Sequence, residues 1–223
     1  MSLSIRFVVL FFKTITTLIC RIDSAGSERV PAHGPLIIYT NHVNVLEIPI
    51  IFTRLQPRKM HGMVLAERWN IPVLSWMLDV AQTIPLHRAE ADIGAIRKGL
   101  EVLKRGEMII ISPEGTRSHD GKLQAAHPGV VLLALHSQAP LLPVAYHGAE
   151  NWKVNIKNLR RTDFHMEFGH PFHLETRGEK VTHTVREKMM DEMMVQLARL
   201  LPTEYRGYYA RAPAEGEKYL EFV

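Results

Sequence analysis

Three apolar runs too short for helices set the terms on which this chain can fold. Residues 36–40 read Leu-Ile-Ile-Tyr-Thr, 108–112 read Met-Ile-Ile-Ile-Ser, and 141–146 read Leu-Leu-Pro-Val-Ala-Tyr. None contains a charge, and such runs are the pattern of strands covered on both faces. Parallel strands need helical crossovers between them, and helix-length segments lie where crossovers are needed. Residues 45–55 form one, closed by Gln56-Pro57; 71–80 form a second, opened by Pro72. In 89–105, Ile93, Ile96, Leu100 and Leu103 recur at three- and four-residue spacing before Gly106, an amphipathic helix with its stop signal. Further helices are expected at 125–137 and 181–201, the latter with a methionine face (Met189, Met190, Met193, Met194). Short strands are expected at 61–66 and 83–86. Phe164, Met166 and Phe168 alternate with polar residues, as in a half-buried edge or antiparallel strand.

This alternation predicts the α/β class: a single domain with a mostly parallel or mixed central sheet flanked by helices. No internal repeat or Gly/Ser linker divides the chain. The expected organisation is an interfacial, membrane-associating helix within 1–24, one domain over 25–201, and a C-terminal tail, 202–223, packed on its surface.

Composition narrows the partners. Of 223 residues, 46% are hydrophobic and 22% charged, which excludes disordered and low-complexity classes. Cys20 is the sole cysteine, so no intramolecular disulfide or cysteine-based zinc site can form. Basic residues outnumber acidic ones, 27 to 23, a +4 balance that suits an anionic partner without choosing one. The apolar stretch 7–19 would make a helix about 20 Å long against a hydrocarbon core of about 30 Å, and Lys13 interrupts it. A core helix and a secretory signal are rival readings of this stretch. The preferred one is a helix lying on a membrane, with Phe7, Leu10, Phe11 and Leu18 toward acyl chains.

Familiar catalytic signatures are absent: there is no Gly-x-Ser-x-Gly elbow, nucleotide phosphate loop, dinucleotide turn or His-Glu-x-x-His helix. His170 and His173 are closely spaced, but nothing marks the further ligands a metal would require. Two segments stand at the C-terminal ends of expected strands, where open α/β sheets put their binding crevice. The first runs Asn41-His42-Val43-Asn44-Val45-Leu46-Glu47. A carboxylate can hold one nitrogen of His42 while the other takes a proton from a hydroxyl. On a regular helix the two would lie about 140° apart, so His42 must precede the helix, with Glu47 one turn in. The second segment is Pro113-Glu114-Gly115-Thr116-Arg117-Ser118. Its glycine lets backbone approach a ligand, and Arg117 offers a planar fork for phosphate.

In this order, with His42 and Pro113 standing 71 positions apart, the two blocks resemble those of the glycerolipid acyltransferase superfamily. Within it, the resemblance is to the 1-acylglycerol-3-phosphate acyltransferase (PlsC-like) group. Asn41-His42 with the acid at 47 matches its Asn-His-x4-Asp block, and 113–118 matches its Pro-Glu-Gly-Thr-Arg-Ser block. Weaker matches are Ile84-Pro85-Leu86-His87-Arg88 and Leu142-Pro143-Val144. The resemblance implies that His42 is the general base and Glu47 its orienting acid, with Asn41 and Pro143 supporting the motifs. Arg117 and Arg88 would hold the acceptor's phosphate within a loop shaped by Glu114, Gly115, Thr116 and Ser118. The implied donor is acyl-CoA or an acyl-carrier protein, the acceptor a lysophospholipid or lysophosphatidic acid, and the site the cytoplasmic face of a membrane. The implied chemistry needs no metal, cofactor or acyl-enzyme.

The sequence departs from the family pattern at two places. Glu47 stands where Asp is usual, and Leu65-Ala66-Glu67-Arg68-Trp69 lacks a lysine common before the second helix, leaving Arg68 as its substitute. A catalytically weakened member acting as a lipid-binding or scaffold protein is therefore the alternative. The apolar residues of 71–78 would line an acyl tunnel or simply pack in the core. The cluster Trp152, Lys153, Lys157, Arg160 and Arg161 would meet lipid head groups, CoA phosphates or only water. Nucleic acid is not expected as a partner, because the basic residues are dispersed and no RNA-binding aromatic signature occurs.

Overall fold

A computed structural model describes residues 3–87, 92–211 and 218–223. In chain order its elements are α1 (Leu3–Ile19), β1 (Cys20–Ala25), β2 (Leu36–Thr40), α2 (Glu47–Arg54), β3 (Met60–Leu65), α3 (Pro72–Val80) and β4 (Ile84–Leu86). These are followed by α4 (Ile93–Lys104), β5 (Met108–Ile111), α5 (Gly129–Ser137), β6 (Leu141–His147), α6 (Trp152–Lys157), β7 (Thr162–Phe168), β8 (Phe172–Leu174), α7 (His183–Arg199) and β9 (Leu220–Phe222). The main path of the sheet runs β1-β7-β6-β2-β5-β3-β4, with β8 beside β6 and β9 beside β8. From β6 to β4 every pairing is parallel. β7 runs antiparallel to β6 and carries β1 parallel to itself, which makes the sheet mixed.

All five residues of β2 are buried, because helices cover both faces of the sheet. Leu36 and Ile38 point into a core shared with Ile50 and Ile51 of α2 and with Phe164, Met166 and Phe168 of β7. Ile37 and Tyr39 point the other way, into a core built from α4, α5 and the buried methionines of α7. The Tyr39 hydroxyl crosses that core to donate to the Met193 carbonyl at 2.9 Å.

Several elements differ from the sequence expectations, for identifiable reasons. α5 begins at Gly129 rather than 125, because the amides of Gln124 and His127 donate to Glu114 and the Pro113 carbonyl instead of opening a helix. The 202–223 segment does more than coat the surface: Leu220–Phe222 pairs with β8, and Tyr209, Tyr219 and Leu220 are buried in the core. In α3, Ile71 precedes the helix exposed, Trp76 is exposed and Leu78 is buried, so this face is neither wholly core nor a closed tunnel. Phe7, Leu10, Phe11 and Leu18 of α1 are all at least half exposed. Among the described residues, no helix is long and apolar enough to cross a membrane.

Candidate active site

β2 ends at Thr40, and the next residue fixes where the chain goes. Asn41, 1% exposed, spends its whole side-chain amide on one residue of β6, donating to the Tyr146 carbonyl and accepting from the Tyr146 N–H, each at 2.8 Å. Pro143 lies three residues earlier on β6, opposite Tyr39, and its carbonyl accepts from the Gly169 N–H where the chain leaves β7. The 42–46 segment then turns without forming a helix. Asn44 braces it, accepting from the Leu46 amide at 2.8 Å and donating to the Ala149 carbonyl at 3.2 Å.

Glu47 is therefore the first residue of α2, not one turn into it as the sequence reading required. Its buried carboxylate folds back over the turn it follows. Oε1 accepts from the amides of Val43 (2.6 Å) and Asn44 (2.5 Å), and Oε2 lies 2.8 Å from His42 Nδ1. The positive end of the helix dipole favours an anion there. Because a carboxylate only accepts, Nδ1 carries the ring proton and Nε2 keeps its lone pair. The ring is 23% exposed, and Nε of Arg117 lies 3.4 Å from Nε2.

The 112–118 loop holds the backbone of His42 from both sides. Glu114, 3% exposed, accepts the His42 N–H at 3.0 Å and, through its other oxygen, the Gln124 N–H at 2.9 Å. Ser118 donates its own N–H to the His42 carbonyl at 2.7 Å, and its hydroxyl donates to Asp120 at 2.9 Å. Burial pushes the Glu114 carboxyl up to about 7, against the opposing pull of the bonds from Gln124 and His42. Gly115, at φ 68°, turns the loop with its N–H on the Ser112 carbonyl. The residues the sequence grouped around the acceptor's phosphate thus divide. Gly115, Thr116 and Arg117 are exposed, while Glu114 and Ser118 are buried, the carboxylate of Glu114 and the backbone N–H of Ser118 holding the His42 backbone. Arg88 lies outside the described residues. Arg68 is exposed just past the end of β3, on the same edge of the sheet.

Sequence reasoning did not find Asn44, Gln124 or Tyr146. Asn44 carried a faint signal, an Asn two residues before a helix start; Gln124 carried none. The Tyr146 hydroxyl is buried without a hydrogen-bond partner. Burial, and then the negative charge of Glu47, push its ionisation well above the usual range. Among the described residues, no cluster of three or more His, Cys, Asp or Glu side chains could hold a metal ion.

Fold and site together define an α/β protein with a His–carboxylate pair and an arginine loop at the C-terminal ends of adjacent parallel strands. A family model described as Acyltransferase matches residues 21–147, more than half of the chain, and the chain belongs to that family, in its PlsC-like group. A chloroplastic 1-acyl-sn-glycerol-3-phosphate acyltransferase of Brassica napus is 27% identical over 129 residues, 56% of this chain and 37% of the relative. The chain thus spans little more than a third of that relative's length. A 1-acyl-sn-glycerol-3-phosphate acyltransferase of Bacillus subtilis is 26% identical over 169 residues, 75% of this chain and 82% of the relative. The crystal structure of the 1-acyl-sn-glycerophosphate (LPA) acyltransferase PlsC from Thermotoga maritima superposes with a TM-score of 0.65. It is 24% identical, covers 87% of this chain and 77% of its own, and shares the fold.

Proposed function

We propose that this protein transfers a fatty acyl group from a thioester, acyl-CoA or acyl-carrier protein, to the hydroxyl of lysophosphatidic acid or another lysophospholipid. The observation that carries the reading is the 2.8 Å contact of His42 Nδ1 with a buried Glu47, which leaves the lone pair on Nε2 to take a proton. The acceptor hydroxyl gives its proton to Nε2 as its oxygen attacks the thioester carbonyl. The carboxylate stabilises the imidazolium that forms. When the tetrahedral intermediate collapses, the C–S bond breaks and the imidazolium returns the proton to the departing thiolate. No group on the protein is acylated, and the chemistry asks for no metal or cofactor.

Arg117 supports a phosphate-bearing acceptor. Its guanidinium lies beside Nε2, so a phosphate on the fork brings a hydroxyl two carbons away to the base. In this reading Gly115 and Thr116 form the solvent side of the same pocket, and Arg88 is a second candidate cation. The reaction would run on the cytoplasmic face of a membrane, with the exposed apolar side of α1 on the bilayer. The test is a panel of lysophospholipid acceptors with acyl-CoA and with acyl-carrier protein, the products identified by mass spectrometry. Esterified product from lysophosphatidic acid or a related acceptor is expected. No product from any donor–acceptor pair would overturn the reading.

A further inference from the structure

Residues 151–161 carry a surface that acyl transfer leaves unused. α6 exposes Val154 (56%) and Ile156, and the turn that follows presents Leu159, 97% exposed. Leu159 also sits at φ 52°, in the left-handed region that β-carbon-bearing residues avoid. Its N–H on the Ile156 carbonyl (3.0 Å) and the Arg160 N–H on Asn155 O (2.8 Å) hold it there. A strained leucine tip with nothing packed on its side chain gains nothing from water. Around it stand Lys153, Lys157 and Arg160, all exposed, and no acid occurs from 151 to 162.

Two connections join this tip to the rest of the molecule. Arg161 donates to the carbonyls of Thr17 (2.7 Å) and Cys20 (2.5 Å), capping the C-terminal end of α1 beside its exposed Leu18. On the other side of α6, Ala149 accepts from Asn44, inside the turn that links His42 to Glu47. Strand polarity agrees with these contacts. β7 is antiparallel to β6, so its first residue lies beyond His147, and it pairs there with Cys20, the first residue of β1. The end of α1, the 158–161 turn and the His42 loop therefore occupy one edge of the sheet.

We propose that the α6–β7 turn is a second bilayer contact, in which Leu159 enters the acyl region while Lys153, Lys157 and Arg160 lie on anionic head groups. This rests on the membrane reading above and deepens it. α1 alone would leave rotation about its own axis free, and a second contact beside the His42 loop turns the site's edge of the sheet toward the lipid. A convex apolar tip ringed by cations and continuous with the apolar side of α1 suits a lipid surface better than a complementary protein groove.

Cys20 is 1% exposed, so Leu159→Cys can be labelled selectively with a polarity-sensitive fluorophore. A blue shift is expected on vesicles of phosphatidylglycerol and phosphatidylcholine, and a smaller one on phosphatidylcholine alone. No shift while the labelled protein co-sediments with vesicles would overturn the proposal. Lys157→Gln/Arg160→Gln should partition onto the anionic vesicles about 25-fold less well, at about fivefold per cation, with an unchanged circular dichroism spectrum. Unchanged partitioning would overturn it. Transfer to a short-chain acceptor below its micellar concentration should be unaffected in this variant. A raised acyl-CoA KM there, with vesicle binding intact, would make the turn a CoA contact and also overturn the proposal. If the unmodified protein transfers nothing to that soluble acceptor, the acyl-transfer reading fails, whatever the vesicles report.

Discussion

β5 has an acid just outside each end, and the two live under opposite conditions. Glu107, before Met108, takes bonds from Arg105 (2.9 and 3.0 Å), Lys59 (3.1 Å) and His61 (2.9 Å). Burial works to raise its carboxyl, and these partners outweigh it, holding it down at about 2. Glu114, past Ile111, is buried among backbone amides and Gln124, and rises to about 7. Each edge also has a histidine on a carboxylate at nearly the same distance, His61 on Glu107 and His42 on Glu47. His61 is 4% exposed, and both its nitrogens face oxygens, Nδ1 that of Gln82 at 2.8 Å. His42 Nε2 instead faces a donor, Nε of Arg117 at 3.4 Å. A His–carboxylate contact is thus a closed structural tie at one edge and, in the function proposed above, a base at the other. The second nitrogen decides which.

The largest test exchanges the two histidines' fates. His42→Ala should lower kcat about 10²–10⁴-fold, the worth of a positioned general base. His61→Gln should leave kcat near wild type and lower the melting temperature. An equal loss of turnover from both would erase the distinction between the edges.

Glu114 gives the next effect. Its folded pKa, about 7, lies above its ordinary 4.5. Its contribution to stability is therefore complete below pH 4.5 and is lost as pH rises through 7. Denaturant unfolding of the wild type should weaken by up to about 3 kcal/mol across that window relative to Glu114→Gln. The readout is the difference in slope, since the amide substitution carries its own constant cost. Parallel pH profiles would mean that Glu114 is ionised throughout.

Arg117→Ala should raise the acceptor's KM about 10–100-fold, matching a charged hydrogen bond of about 1.5–3 kcal/mol, with the donor's KM little changed. Arg117→Lys should recover part of this, because an ammonium lacks the fork. A raised donor KM with acceptor binding spared would reverse the assignment of the two substrates. The smallest change is expected at the quiet edge. Lys59 is 69% exposed in its pair with Glu107, so Lys59→Ala should cost under about 1 kcal/mol in unfolding and nothing in turnover.

The central strands were legible because burial on both faces favours uncharged, mostly apolar runs, as in 36–40 and 108–111. β1 was not legible. Cys-Arg-Ile-Asp-Ser-Ala is an edge strand with one face in water, and its Arg21–Asp163 pairing to β7 cannot be read locally. β8 and β9 span three residues each, too few for any periodicity. At the site, the residue types were readable, but their orientation was not. The 42–47 spacing looked awkward only on the assumption of one regular helix through both residues, whereas α2 starts at Glu47, five residues after His42. That Glu114 and Ser118 turn inward depends on Gln124 and Asp120, which lie outside the conspicuous block. The Arg117 side chain, by contrast, is where its exposed loop position suggested.

Asn41 and Tyr146 are 105 positions apart, yet their paired hydrogen bonds hold the chain at the end of β2. On the ribosome, β2 emerges long before either flanking strand exists. At about 5–20 residues per second, some 5–20 s of synthesis separate Asn41 from its partner. Until β5 follows, its first residue 72 positions after Leu36, five residues destined for complete burial have no paired strand, and their β6 side stays open longer still. The nascent chain is then most open to capture by chaperones, or to mispairing with a neighbour on the same message. Slowed elongation between codons 41 and 146 would lengthen that exposure without altering a single atom of the finished fold.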